Sequence, residues 1–445
     1  MSQWKKVKID FKTIKLGDYI EPIKTTVAEL NLQNPIVYGV TNKEGIVQTG
    51  KPASKDISNY IVLEENCFAF NPYRINVGSI GINDKNLTGC VSPAYVVFKT
   101  KNGLLPKFLF FYLKSDYGIH LINWYGNRGG VRNALRYFDL CNIDIPDIRN
   151  INQELLLQKF SSVSENINQI TQELETQKEY IKQLRQDILQ DAIEGKLTSD
   201  WRKTHPIIKG NPDYDTEALF EKIQKEKASD KKQKQLSPIT DEEKPFKIPE
   251  GWIFTRLGEI SEIVRGGSPR PAGDKTYYDG DIPFLKVADL TGSNEKELYQ
   301  FTYTIKEAGL KKTRLVEKET LMLTNSGATL GIPKICMIQT TFNDGIAAFL
   351  GIHERILKDY LYYFLKSKTK WFLKEAAKGQ GQPNLNTDIV SGTILPLPPL
   401  KEQEEIVNKI ESLLTKVTEL ENQIQERKTL SEKLAFGIIK EKLAG

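Results

Sequence analysis

The chain has 445 residues, 39% hydrophobic and 27% charged, which predicts two or three globular domains and excludes a disordered or fibrous protein. Its 62 basic residues outnumber 57 acidic ones only slightly, a balance that permits a nucleic-acid partner where charge is patchy without demanding one. No apolar run reaches the roughly eighteen residues of a membrane-spanning helix.

The opening MSQWKKVKIDFKTIK is charged throughout and is not expected to be a secretory signal. Cys67, Cys90, Cys141 and Cys336 form no CxxC and are expected to be buried small hydrophobes in a reducing cytoplasm. In the first 147 residues, apolar stretches at 36–40, 67–70 and 95–98 predict strands, and glycines at 78–81 predict a turn. FLFFYLKS (108–115) is aromatic on all sides and predicts a short buried helix rather than a platform for bases. After it comes GNRGGVRNALR (126–136), where arginine and asparagine stand among glycines. Glycines let a backbone approach a partner closely, and Arg, Asn and Gln can contact base edges in pairs of hydrogen bonds.

Beyond Pro146 a long helix is predicted, over 148–198. Apolar residues recur at Leu156, Phe160, Val163, Ile167, Ile170 and Leu174, skip Gln177, and resume at Ile181, Leu184 and Ile188. Spacings of four and three alternate, which marks a seam along one helix face. The stretch 199–248 contains EKIQKEKASDKKQKQ and reads as a charged linker, solvated or flexible.

The second half, from 249 to 399, repeats the first. Strands are predicted at 284–287, 320–324 and 347–350, with a glycine turn at 327–331. TLMLTN (320–325) matches NCFAFN (66–71), and YLYYFLKS (360–367) matches FLFFYLKS. KGQGQPNLN (378–386) takes the place of the earlier glycine-rich loop, and LPLPPL (395–400) precedes the second long helix, 400–445. There the seam returns 250 positions later at Ile406, Ile410, Leu413, Val417, Leu420 and Ile424, breaks at Arg427 and Ser431, and resumes at Leu434 and Ile438. Each copy is about 39 residues of helix, roughly 58 Å. Gly437, about 1 kcal/mol worse than alanine in a helix, marks where the second is expected to weaken. Stripes so alike predict that the two helices pair with each other. The spacing allows either direction, and a parallel pair would bring Gln177 level with Arg427. The fold class is therefore α+β: two mixed α/β domains alternating with two long helices, as an internal repeat.

Signals of catalysis fail one by one. There is no GxxxxGK[ST] and no HExxH, and His120, His205 and His353 stand apart, so no metal site is expected. GQGQPN has asparagine at the third glycine position of a dinucleotide fingerprint. Asn71-Pro72-Tyr73-Arg74 approaches the Asn-Pro-Pro-Tyr motif of amino-methyltransferases but lacks the second proline, and it reads as a turn presenting Arg74.

LRQDILQDAIEGKLTSDWRK (184–203), IPEGW (248–252) followed by RLGEI, and PLPPLKEQEEIVNKIESLL (396–414) complete the pattern. With the domain–helix–domain–helix order, the chain resembles the specificity (S) subunit of type I restriction-modification enzymes over nearly its whole length. The resemblance implies two target recognition domains, each reading one half of a split site in double-stranded DNA. It also implies an antiparallel helix pair that holds them apart over an unread spacer. Partners would be two methyltransferase (M) subunits and the restriction (R) subunits. S-adenosylmethionine, ATP and Mg would belong to those partners, leaving no cofactor in this chain. Helices of about 58 Å would limit the separation of domain centres to about 17 base pairs.

For contacts with DNA, the first domain offers Lys43, Tyr73, Arg74, Arg128 and Arg132. The second offers Arg265, Arg270, Lys286, Lys311, Lys312, Asn325, Lys334 and Gln382, and Lys311 and Lys312 form with Arg314 a cluster suited to phosphates. Two other readings compete: a methyltransferase or nuclease carrying its own reader, and a coiled-coil adaptor that binds only proteins.

Overall fold

The computed structural model describes residues 12–49, 55–126, 134–227, 236–376 and 384–444, apart from the side chains of 116, 150, 160, 163, 164, 376 and 432–444. They form two compact units, Met1–Thr176 with Ile424–Gly445, and Gln177–Gln423.

In the first unit the strands are β1 (Thr13–Lys15), β2 (Ile20–Pro22), β3 (Val37–Thr41), β4 (Gly45–Gln48), β5 (Ile61–Val62), β6 (Phe68–Phe70), β7 (Ile80–Ile82), β8 (Cys90–Val91), β9 (Val96–Thr100) and β10 (Asp144–Pro146). Helices α1 (Pro106–Lys114), α2 (Asp116–Gly126) and α3 (Tyr137–Cys141) follow β9, and α4 (Gln153–Ile193) follows β10. One sheet has the order β2-β9-β6-β7, a second β4-β3-β8-β5, and β1 pairs with β10 to join the ends of the domain. Only β3 and β8 run parallel among these pairs.

Strand β6, FAF, is buried on both faces and so shows no polar alternation. Phe68 and Phe70 join the core under α1, and the rings of Phe68 and Phe98 stack at 4.7 Å. Ala69 faces the other way, with Cys67, Val91 and Val97. The first aromatic helix stops at Ser115, whose hydroxyl accepts the Gly118 N–H at 3.0 Å. A Cβ at Gly118 would fall 2.1 Å from the Tyr112 carbonyl oxygen, so the chain turns there only with glycine.

The second unit repeats this plan with one strand added at a sheet edge. It contains α5 (Ser199–Thr204), α6 (Thr216–Lys227), β11 (Ile253–Arg256), α7 (Leu257–Ile260), β12 (Glu262–Arg265), β13 (Tyr278–Leu285), α8 (Val287–Thr291), β14 (Glu297–Leu298) and β15 (Tyr303–Ile305). Then come α9 (Glu307–Leu310), β16 (Arg314–Val316), β17 (Thr320–Thr324), β18 (Pro333–Cys336), β19 (Thr340–Phe342), β20 (Ile346–Leu350), α10 (Lys358–Ala376), α11 (Thr387–Gly392), β21 (Ile394–Leu397) and α12 (Leu400–Ala444). The sheets are β12-β20-β17-β18-β14 and β15-β13-β19-β16, with β11 paired to β21. Parallel β13–β19 stands where β3–β8 stood. Strand β17 corresponds to β6, as the match of TLMLTN to NCFAFN requires. YLYYFLKS departs from expectation, because it opens a helix of 19 residues rather than a short one. Ser367 lies inside that helix with its hydroxyl bonded back to Phe364 O, where Ser115 ended α1.

The stretch read as a charged linker is corrected in part. Helix α6 lays Leu219 and Ile223, both fully buried, into the core of the second domain. Their spacing of four makes a short apolar stripe that the surrounding lysines and glutamates mask in the composition.

The helix direction is settled inside the second unit. Arg185 of α4 pairs with Glu421 of α12 at 2.8 Å, Lys409 Nζ donates to Leu197 O at 2.9 Å, and Thr198 Oγ1 donates to Glu402 at 2.7 Å. Partner numbers fall along α12 as they rise from α4, so the helices run antiparallel. Along the expected seam, Leu174, Ile181, Ile188, Ile406, Ile410, Val417 and Ile424 are buried. Leu156 is buried too, but in the core of the first domain, as Ile406 and Ile410 are in that of the second. Ile167 and Leu413 are half-buried. Ile170, Leu184 and Leu420 are 37%, 41% and 44% exposed, against expectation. An α-helix of 3.6 residues per turn drifts off a 3.5-residue repeat, so the far members of a heptad stripe turn away from the shared face. The side chains of Phe160, Val163, Leu434 and Ile438 lie outside the described residues. Gly437 does not end α12, which continues to Ala444.

Candidate nucleic-acid interface

In the first unit the loop after β6 is built by its own sequence. Asn71 Oδ1 accepts the Tyr73 N–H at 2.9 Å, and a 3-10 turn at Ile75–Val77 closes on Gly78 at φ +83°. That geometry leaves Tyr73 60% exposed and Arg74 on the surface. Lys114 Nζ donates to Asn42 O, Asn42 Oδ1 and Gly78 O, clipping the β3–β4 turn that carries exposed Lys43 to this loop. Burial holds the Lys114 amine below its ordinary range. The Leu135 N–H donates to Pro72 O at 3.0 Å, so the chain emerging from the glycine-rich loop returns to the same place. Arg128 and Arg132, within that loop, lie outside the described residues.

The second unit uses equivalent strands with different chemistry. The Leu385 N–H donates to Asn325 O at 2.7 Å, and Asn384 bridges Ser326. These contacts mirror Leu135 with Pro72. Gln382 lies outside the described residues. The turn Asn343-Asp344-Gly345, between β19 and β20, is the hub. Arg265 Nε donates to Asp344 O at 2.5 Å, Ser268 Oγ to Asp344 Oδ1 at 2.6 Å, and the Asn325 N–H to Gly345 O at 2.9 Å. A Cβ on Gly345 would lie 2.6 Å from Val287 and 2.8 Å from Ser326, so glycine permits the convergence.

Around this hub Arg265, Arg270, Lys311 and Lys312 are exposed. Arg314, also exposed, donates from Nε to Arg265 O at 3.0 Å and so joins the lysine pair to Arg265. Lys286 is half-buried, its amine 3.3 Å from the centre of the Tyr303 ring.

Two candidates are corrected. Lys334 is 2% exposed and donates to Ser293 O, Ser293 Oγ and Glu295 O, so its amine is consumed inside the domain. Asn325 is 1% exposed, and its carboxamide has no partner among the described residues. On β18 and at the end of β17, both point inward in a sheet covered on both faces. The sequence reading missed Asp344, Ser268 and Ser326. Their signal was the NDG turn, which sits between two apolar strands.

Among the described residues no group of His, Cys, Asp or Glu could hold a metal, and no helix is long and apolar enough to cross a membrane.

Residues 249–427 match the family model of the type I restriction modification DNA specificity domain. The type I restriction enzyme EcoAI specificity subunit of Escherichia coli is 25% identical over 64% of this chain and 48% of its own length. The MjaIX specificity subunit of Methanocaldococcus jannaschii is 28% identical over 44% of each chain. The chain thus spans about half the length of these two relatives. The EcoDI specificity subunit of Escherichia coli, 24% identical, aligns over 94% of this chain and 84% of its own. Among solved structures, the HsdS subunit from Thermoanaerobacter tengcongensis superposes over 100% of both chains with a TM-score of 0.59 at 16% identity. A chain solved to explain complex assembly and conformational transition of the type I R-M system superposes over 99% of both with a TM-score of 0.66, also at 16%. Those two likenesses carry the fold. Residues 249–427 thus carry a type I restriction modification DNA specificity domain, its central strand order recurs in the first half, and the chain is similar along both halves to type I restriction enzyme specificity subunits.

Proposed function

We propose that this chain reads DNA sequence for a type I restriction-modification complex. Each recognition domain reads one half of a split target, and the helix pair sets the spacing between the halves. The observation that carries the reading is the duplication. One strand order occurs twice, and at the equivalent loop it presents Tyr73 and Arg74 in one copy and Ser326, beside Arg265 and the Asp344 turn, in the other. Equal scaffolds with unequal side chains suit two half-sites of different sequence.

Bond making and breaking belong, in this proposal, to other subunits. Two methyltransferase subunits would transfer the methyl group of S-adenosylmethionine to adenine, and ATP- and Mg-dependent restriction subunits would cut. Apolar side chains left exposed on the long helices, Ile170, Leu184, Leu420 and Leu430, support docking of protein partners there.

Single-molecule sequencing of adenine methylation tests the proposal, in cells expressing this chain with its methyltransferase partner. A split motif that disappears when this chain is deleted is the expected result. A motif indifferent to the deletion would refute the reading in favour of a protein-only adaptor. Methyl transfer by the pure chain alone would show it to be an enzyme.

A further inference from the structure

One contact occurs twice, once in each unit. In the first turn of α4, Gln153 Oε1 accepts the Leu105 N–H at 2.9 Å and Nε2 donates to Gly103 O at 2.9 Å. In the first turn of α12, Gln403 Oε1 accepts the Leu357 N–H at 2.8 Å and Nε2 donates to Arg355 O at 3.4 Å and Pro398 O at 3.0 Å. Gln153 and Gln403 are 250 positions apart, and Leu105 and Leu357 are 252 apart, so the two clasps are repeat-equivalent. Each grips the short segment between the last strand of a central sheet (β9 or β20) and the aromatic helix that covers it (α1 or α10).

The segment gripped carries a donor that its own helix does not satisfy. Leu105 is the N-cap of α1, with no helical carbonyl one turn before it to accept its N–H. The glutamine supplies one from another element. Apolar packing, such as Leu156 in one core and Ile406 in the other, holds domain to helix but is non-directional. Two hydrogen bonds converging on one planar amide fix an angle. Gln403 is fully buried, while Gln153 is partly exposed, so the second clasp is the stiffer.

We propose that Gln153 and Gln403 are positioning residues, each fixing the angle at which one recognition domain leaves its own long helix, and thereby the register at which its half-site is read. The inference rests on the function proposed above and goes beyond it by assigning the spacing to two named side chains.

The test uses the full chain with its methyltransferase partner. Gln153→Met and Gln403→Met keep length and remove both bonds. Sequencing of adenine methylation should return unchanged half-site sequences in both variants. Preference for the wild-type spacer over spacers one base pair longer or shorter should fall about tenfold, the equivalent of two modest hydrogen bonds. Gln403→Glu, which keeps the acceptor for Leu357 and loses the donor, should fall between; with Gln153→Met it carries the test if Gln403→Met does not accumulate. Methylation reduced evenly at an undiminished spacer preference would overturn the clasp and leave the glutamines purely structural. A wild-type chain that gives no split motif would instead sink the functional reading, and the clasp with it.

Discussion

Replacing Glu402 by alanine should be among the most damaging single changes in the second unit. Its side chain is 2% exposed and accepts from Thr198 Oγ1 at 2.7 Å, Arg202 NH1 at 2.5 Å and Trp252 Nε1 at 2.7 Å. This carboxylate therefore joins three stretches far apart in sequence, one ending in TSDWRK, the second in IPEGW and the third opening with PLPPLKE. Removing it leaves the Arg202 guanidinium, 23% exposed and 6.0 Å from the Trp252 ring, without its countercharge, and leaves a buried indole N–H without an acceptor. Breaking a buried ion pair costs about 3–5 kcal/mol. The partial exposure of Arg202 puts the pair at the lower end, and the stranded indole adds about 1 kcal/mol, so a loss of about 4 kcal/mol is expected. With two units in the chain, one global midpoint would mix transitions. The measurement is therefore hydrogen exchange by mass spectrometry over residues 192–204 and 400–412, with the double variant as control. Glu402→Ala with Arg202→Met removes both charges and should lose at least about 1 kcal/mol less than the sum of the single losses. Strict additivity, or a loss below about 1 kcal/mol for Glu402→Ala, would refute the argument.

Arg74→Ala should weaken binding to the cognate site more than to random DNA in a competition assay, because the Asn71 turn holds this side chain at the surface where the proposed interface lies. Equal weakening would make Arg74 a phosphate contact. Changing Lys311, Lys312 and Arg314 together to alanine should weaken all duplexes alike and flatten the salt dependence of log K by about 2–3, at about one unit per lost phosphate contact. An unchanged slope in a salt titration would remove this cluster from the interface. Lys334→Met should lower the stability of its sheet by about 1–3 kcal/mol, read by hydrogen exchange over residues 320–336, since three oxygens lose their donor. A DNA titration at matched folded fraction should show no change in affinity.

Much of the architecture is legible in order along the chain, and particular residues show why. The seam from Leu156 to Ile188 and its copy from Ile406 follow from the helical period, and β6 and β17 from short apolar runs bounded by Asn66, Asn71 and Asn325. Serine-for-serine matches were less informative. Ser115 ends a helix and Ser367 does not, because Gly118 allows the first chain to fold back against the Tyr112 carbonyl. The candidate interface was legible as loops and not as side chains. Arg74 and Lys312 look no different in sequence from Lys334, yet the first two reach the surface and the third is spent on Ser293 and Glu295.

The sequence by itself determined the repeat, the two long helices, the strands and the loops that border the candidate interface, because periodicity and turn chemistry act between residues near in sequence. The tertiary structure alone decided the antiparallel direction, the docking of Leu219 and Ile223, the gathering of Arg265, Ser268 and Asn325 on the Asp344 turn, and the paired clasps of Gln153 and Gln403. Each of these depends on which surfaces meet across tens or hundreds of residues. Burial and hydrogen-bond supply at such meetings are properties of the folded neighbourhood, and a residue's identity does not carry them.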